Sequence, residues 1–311
     1  MAVGNLVLIA HAGDVGRRTL EQLRVMDVPV RALVRHDDDR AARLRALGAE
    51  VVTGDLTRPE SVEAALEGVG RMYFAMPVSP DHLLAATVVA TVAREYGGLA
   101  GLVDMSQMTV SQMTATSTGE SRQQRLHWLA EQVLNWSGLP VVHVRPTAFL
   151  DNPLFTTLAA RSIRARGTIE LPFGTGRTSP VAADDVARVV ATVLHDPAPH
   201  IGQVYELTGP RTLSMPEMAE EFSRALGRPV AYVDVPLDRW RQEVLAQAGL
   251  PPHTEQHIAT MARLHRENRY DRSSDDVARI TGVPAETVEA FVAARKDFYL
   301  GVNPAVRSGQ P

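Results

Sequence analysis

The stretch Leu6-Val7-Leu8-Ile9-Ala10-His11-Ala12-Gly13-Asp14-Val15-Gly16-Arg17 decides the fold. Its first four residues are a continuous apolar run, the pattern of a strand buried on both faces. Two glycines three residues apart follow, and Leu20 and Leu23 then fall at helical spacing. A strand, a glycine-bearing bend and a helix in that order let backbone N–H groups approach a diphosphate, whose charge meets the helix N-terminus. Gly16 also permits close packing of helix on strand. An ordinary strand-to-helix turn carries such a glycine pair too, so the weight rests on the flanking segments.

Those segments repeat the alternation. Val30 to Val34, Glu50 to Thr53, Met72 to Ala75, Leu102 to Met105 and Val141 to Val144 read as strands. Between them, Asp39 to Leu47, Pro59 to Leu66, Asp81 to Tyr96 and Arg122 to Trp136 read as helices, several closed by glycine. Six strands with helical crossovers predict an α/β fold, a doubly wound parallel sheet. After about residue 150 the character changes. Proline and glycine cluster at Leu171-Pro172-Phe173-Gly174-Thr175-Gly176, a helix over Asp184 to Leu194 and a strand over Val204 to Leu207 follow, and from Ser214 the pattern is mostly helical, apart from an extended Ala231 to Val235. The expected organisation is a first domain over residues 1–150, with elements returning from about 180–210, and a smaller helix-rich portion over 151–311. Asn303 to Pro311 reads as a loose tail.

The second strand ends at Arg35, nineteen residues beyond Gly16. An acidic residue there would bind the ribose hydroxyls of NAD, whereas arginine suits the additional phosphate of NADP. Asp37-Asp38-Asp39 would repel that phosphate if they faced it, and are expected to cap the next helix.

Composition narrows the function classes. The chain has 311 residues and a net charge of −4, which argues against an overall basic surface for nucleic acid. It has no cysteine, which excludes disulfides, thiolate metal sites and cysteine nucleophiles. No apolar run approaches the roughly 20 residues of a membrane span, and no secretory signal is read, so a cytoplasmic location is expected. The 32 basic residues comprise 31 arginines and one lysine, Lys296.

Taken together, Gly13-Asp14-Val15-Gly16-Arg17, Leu33-Val34-Arg35, Val51-Val52-Thr53-Gly54-Asp55-Leu56, Val144-Arg145-Pro146 with Phe149 and Asn152, Ser179-Pro180-Val181 with Asp184-Asp185-Val186-Ala187, and Tyr205-Glu206-Leu207-Thr208-Gly209-Pro210 resemble the NmrA-like branch of the atypical short-chain dehydrogenases/reductases, a Rossmann family. The resemblance runs from about residue 5 to residue 235 in order, and is weaker beyond. It implies NADP(H) as cofactor, with contacts at Ala10, Ala12, Gly13, Asp14, Val15, Gly16, Arg35, Asp55, Leu56, Ala75, Met76 and Pro77, and with Pro146, Thr147 and Phe149 near the nicotinamide. Met108, Phe149, Asn152 and Phe155 fall on the expected substrate side, where methionine and phenylalanine would suit flat apolar molecules.

Two departures from the family pattern matter. Ala10 stands where the wider family has glycine, with bulky His11 beside it, which would narrow the phosphate bend. The catalytic Tyr, followed by Lys four residues on, is replaced by Gln123 and His127 when the helix is anchored on Glu131 and Ser137-Gly138. No register shift restores the pair, because no tyrosine lies between Tyr96 and Tyr205. His127 is the candidate replacement, as a cofactor contact or a proton donor titrating near neutrality, with Glu131 to orient it. It equally reads as a satisfied, partly buried histidine. Ser106 lies near the family's catalytic serine, although a serine at a strand end commonly bonds nearby backbone.

His253 and His257 share a helix face, but the glutamate offset does not match a zinc-protease motif, so no metal is expected. Arg263, Arg266 and Arg269 read as a solvated stripe. The leading expectation is an NADPH-dependent reductase of a conjugated acceptor such as a quinone, azo compound or imine. The alternative is a non-enzymatic NADP(H) redox sensor acting on a regulatory protein, and a fold without cofactor is a third reading prompted by Ala10 and His11. The expected partners are a small apolar or conjugated substrate and a regulatory protein, with no nucleic acid or membrane, for a monomer or homodimer.

Overall fold

β1 (Leu6–Ile9) is the apolar run that opens the chain, and Val7, Leu8 and Ile9 are wholly buried. In this computed structural model, which describes residues 4–302, the expected tail lies outside the described residues. The chain continues through α1 (Asp14–Val25), β2 (Val30–Val34), α2 (Asp39–Ala46), β3 (Glu50–Thr53), α3 (Pro59–Leu66), β4 (Val69–Phe74), α4 (His82–Tyr96), β5 (Gly101–Met105), α5 (Arg122–Trp136) and β6 (Val141–Pro146). Then come α6 (Ala159–Arg166), β7 (Thr168–Leu171), β8 (Arg177–Thr178), α7 (Ala183–His195), β9 (Val204–Leu207), β10 (Leu213–Ser214), α8 (Met215–Leu226) and β11 (Ala231–Asp234). The last helices are α9 (Leu237–Trp240), α10 (Pro252–Arg266), α11 (Asp276–Thr281), α12 (Val288–Ala294) and α13 (Lys296–Leu300).

The principal sheet has seven parallel strands in the order β3-β2-β1-β4-β5-β6-β9. Strand order reverses between β1 and β4, so the crevice beyond their carboxyl ends is the switch point at which such sheets take ligands. The chain divides into two compact units. Unit 1 comprises residues up to Pro146, Ala183–Leu207 and Asp276–Gly282; unit 2 comprises Thr147–Ala182, Thr208–Asp275 and the residues from Val283 on. The first segment of unit 1 ends with β6, and α7, β9 and α11 also belong to that unit.

Local chemistry explains the element ends. Asp38 caps α2, its Oδ1 accepting from the backbone N–H groups of Arg40 at 2.9 Å and Ala41 at 3.3 Å, as expected of one of the three aspartates. Ser121 and Gln124 form a capping box at α5, and α4 stops at Gly97, whose φ of +66° favours glycine. β4 is buried throughout even though it contains Arg71. That guanidinium is satisfied by the carbonyls of Leu194 and His195, both at 2.9 Å, and so ties the last turn of α7 to the sheet.

Unit 2 has its own core, built on Phe155, Ile163, Phe173, Phe222 and Phe291. Within it, His265 is sandwiched between Phe173, 4.1 Å away, and Tyr270, 3.8 Å away, with nearly parallel rings. Its Nδ1–H donates to the Met261 carbonyl at 2.8 Å. Burial outweighs that bond and pulls the imidazole down to about 4; His257 is likewise lowered to about 4, by burial and by His253. A histidine that stays neutral when folded, but takes up a proton when unfolded, stabilises the fold above its ordinary value of 6.5 and less as pH falls toward 4. Urea unfolding of the protein is expected to lose stability steadily from pH 6.5 to 4. His265→Gln should make that slope shallower by about one proton, or about 1.4 kcal/mol per pH unit.

Candidate functional site

At the switch point of unit 1 lies a cavity of about 260 Å³. Its walls include Ala10, Ala12, Arg35, Asp55, Leu56, Met76 and Pro77, so seven of the expected cofactor contacts converge on one space. Leu33 and Leu44 supply apolar surface, Arg35, His36 and Arg40 bring cationic or titratable groups, and Asp38 and Asp55 bring carboxylates. Arg35 is largely exposed, and its Nη2 donates to both Asp55 oxygens at 3.2 and 3.3 Å. Asp55 Oδ1 also accepts from the Thr57 backbone N–H at 2.9 Å and its hydroxyl at 2.8 Å. The backbone bond above all holds this carboxyl below the usual range, so it remains an anion that parks the arginine.

Gly13, Asp14, Val15 and Gly16 follow directly as the start of α1. Gly13 is its N-cap and offers no side-chain oxygen to the first turn, unlike the caps of α2, α5 and α8. A Cβ on Gly16 would lie 2.1 Å from the His11 carbonyl oxygen, so only glycine permits this approach of helix to bend. Asp14 points away into ion pairs with Arg17 and Arg18, both at 3.2 Å. Ala75 is buried at the end of β4. His11, His36, Asp38, Arg40 and Ser79 are cavity residues that the sequence reading did not assign. Arg40 had a legible signal, since it lies in the first turn of the helix that Asp38 caps.

α5 brings a different set together. Gln123, at the family's tyrosine position, is buried, and its Oε1 accepts from the Ser79 backbone N–H at 3.1 Å. It thus anchors the loop after β4, which carries Met76 and Pro77. His127 packs ring to ring with His82 on α4, with centroids 4.0 Å apart. His82 is fully buried, and neither of its ring nitrogens has a hydrogen-bond partner among the described residues. Burial holds it below its ordinary value against the opposing pull of Asp104, so its ring is neutral. Glu131, expected as the orienting group, is buried and takes the Arg145 Nε–H at 2.8 Å.

Ser106 ends β5, and its backbone N–H bonds the Val144 carbonyl at 2.9 Å. Its hydroxyl is buried without a partner among the described residues, contrary to the bond with adjacent backbone that a strand-end serine usually makes. A buried orphan hydroxyl at the carboxyl end of the sheet fits a site that receives a polar ligand atom. Behind it, Asp104 Oδ2 bonds His143 Nδ1 at 2.8 Å, and His143 Nε2 lies 3.0 Å from Asn135 Oδ1. Burial lowers His143, but the Asp104 bond and the charges of Asp104 and Glu131 outweigh it, and the imidazole is held above its ordinary value. Asp104, Glu131 and His143 lie close enough to share an ion. Asp104 Oδ2 is taken by His143 and Glu131 by Arg145, whereas Asp104 Oδ1 is buried without a hydrogen-bond partner among the described residues.

Pro146 closes β6 in unit 1, and the remaining expected contacts belong to unit 2. Thr147 is buried with its hydroxyl unpartnered among the described residues. Phe149 bridges to Val181 as an isolated parallel pair. Asn152 turns its Oδ1 to the Leu154 N–H at 2.9 Å, serving the chain bend rather than presenting an amide. Met108 and Phe155, expected as substrate wall, are each 1% exposed and are core residues: apolar side chains after a strand were drawn into packing. Met113 is buried too. Of the arginine stripe, Arg263 pairs with Glu267 and Arg266 with Asp234.

A seven-stranded parallel sheet in this order, with a cavity at its switch point lined by both arginines and aspartates, defines the doubly wound nucleotide-binding class. The sequence profile of the NmrA-like family matches residues 4–293, and the chain belongs to that family. It is 30% identical over 291 residues to the NAD(P)H azoreductase of Xenophilus azovorans, which covers 93% of this chain and 97% of the relative. The NADPH-dependent quinone oxidoreductase of Escherichia coli, solved in complex with NADPH, shares the fold with a TM-score of 0.79 at 22% identity over 93% of this chain and 99% of its own. So does NmrA, a negative transcriptional regulator in complex with NADP, with a TM-score of 0.74 at 18% identity over 97% and 96%.

The buried network makes its own prediction. His143→Leu strands Asp104 without its cation and should cost about 3–5 kcal/mol in urea unfolding. Removing both charges in Asp104→Ala/His143→Leu should recover part of that loss.

Proposed function

We propose that this chain binds NADP(H) at the unit 1 cavity and acts as an NADPH-dependent reductase of a conjugated acceptor, of the quinone, azo or imine type. The observation that carries the reading is that Arg35, His36 and Arg40 together line a partly apolar cavity at the switch point. Arginine forks suit a phosphate monoester, and the apolar wall suits an adenine face. Arg35, with Arg40 beside it, holds the 2′-phosphate; Asp55 and Leu56 flank the adenine; Met76 and Pro77 line the path along the sheet edge. When bound, NADPH supplies a hydride. Ser106 offers its unpartnered hydroxyl to the cofactor or substrate.

Proton handling falls to His127. Gln123 is held by the Ser79 N–H and has no acidic proton to give. An acceptor that delocalises charge over a conjugated system lowers the demand on an acid, so an imidazole or water suffices. A small apolar acceptor in the cytoplasm, where NADPH is plentiful, agrees with this chemistry.

The second reading is a sensor without turnover, whose NADP(H) occupancy alters contacts with a regulatory protein. It is favoured by an α5 that carries neither tyrosine nor lysine and by the likeness to NmrA. Titrating the protein with NADPH and NADP⁺, then adding a panel of quinones and azo dyes while following the NADPH absorbance, separates the two. Binding with turnover supports the reductase, and binding without turnover supports the sensor. Arg35→Ala should weaken NADPH about 10- to 100-fold and NADH less than about threefold; equal loss for both would contradict the phosphate role. His127→Ala should lower turnover by about tenfold or more and flatten its pH profile near neutrality.

A further inference from the structure

His11 puts a bulky ring beside the phosphate bend, and the ring folds back over it. Its Nε2 lies 2.6 Å, and its Cδ2 3.0 Å, from the position a Cβ on Gly13 would occupy. The imidazole therefore rests against the N-cap of α1 while also lining the cavity with Arg35, His36, Asp38, Arg40 and Asp55. The nearby anions are committed elsewhere. Asp14 pairs with Arg17 and Arg18, Asp38 caps α2, and Asp55 is taken by Thr57 and Arg35. His11 thus lies against the start of α1 with Arg40 as the charge acting on it. Burial first, and then the Arg40 charge, hold it below its ordinary value. The ring is neutral in the free protein.

A diphosphate seated on the bend reverses those terms, since it brings negative charge against the ring and offsets Arg40. We propose that His11 is a diphosphate-binding residue whose imidazole takes up a proton from solvent as the dinucleotide docks. The inference rests on the nucleotide-binding reading of unit 1. The proton adds to the free ring nitrogen, and no bond of the nucleotide changes. Binding is then linked to pH: affinity for the diphosphate rises as pH falls from 8 to 6, because the complex binds more protons than its separate parts.

Calorimetry with ADP-ribose tests this, because that ligand has the diphosphate but no titrating 2′-phosphate. Titrations of the full chain at pH 7, in three buffers of different ionisation enthalpy, should give an uptake of about 0.3 to 1 proton per ADP-ribose bound. His11→Ala and His11→Asn, each checked for folding by circular dichroism, should abolish the uptake and weaken ADP-ribose about 5- to 20-fold at pH 6, with a smaller effect at pH 8. Binding by the unmodified protein without uptake, or the same uptake in a folded variant, overturns the role of His11 and leaves the nucleotide reading standing. Failure of the unmodified protein to bind either ADP-ribose or NADPH overturns that reading, and this inference with it.

Discussion

Unit 1 is organised by the approach of α1 to the bend that feeds it. No side chain is tolerated at Gly16, because the His11 carbonyl oxygen occupies the space a Cβ would need. With the helix start fixed there, its free N–H groups meet the carboxyl ends of β1 and β4, where the strand order reverses. The Arg18–Asp184 ion pair holds the next turn of α1 to α7. Unit 2 uses the same device: a Cβ on Gly176 would lie 1.8 Å from the His265 carbonyl oxygen, which seats the glycine-rich loop on the end of α10, and one on Gly209 would lie 2.3 Å from the Pro180 carbonyl oxygen.

The second constraint is charge neutrality beneath the sheet end. Asp104, Glu131, His143 and Arg145 come from two strands and a helix, and each would be costly alone in a buried setting. Paired, they lock α5 against β5 and β6. Gln124 adds a bond to the Thr109 hydroxyl at 2.9 Å, and Gln123 holds the Ser79 backbone. α5 is therefore a rigid shelf, and His127 is carried on it at a fixed depth.

Much of this was legible in the sequence, and the failures have physical causes. The alternation of apolar runs and helices gave the sheet, since strands buried on both faces leave an unmistakable pattern, and β1 through β6 appear where expected to within a few residues. The phosphate bend was readable because glycine spacing reports backbone geometry directly. What the sequence could not report was side-chain partnership. Glu131 has the spacing to orient His127, and Arg145 from β6 engages it as well, a pairing set by tertiary register. Met108 and Phe155 look like a substrate wall or like core in one dimension, and burial decides for core. His82 carried no signal at all, because its significance is a ring contact across two helices. The return of α11 to unit 1 was hidden for a similar reason: the N–H of Glu206 finds Asp276 across about seventy residues of chain.

The His82–His127 pair carries an electrostatic constraint of its own. Two imidazolium rings with centroids 4.0 Å apart would repel by about 4 kcal/mol at an effective dielectric of about 20. The pair consequently holds one proton at most near neutral pH. Full burial and the absence of any ring-nitrogen partner among the described residues disfavour that proton on His82. His127, by contrast, is only half-buried, so contact with a neutral, buried ring is the environment that α5 gives position 127.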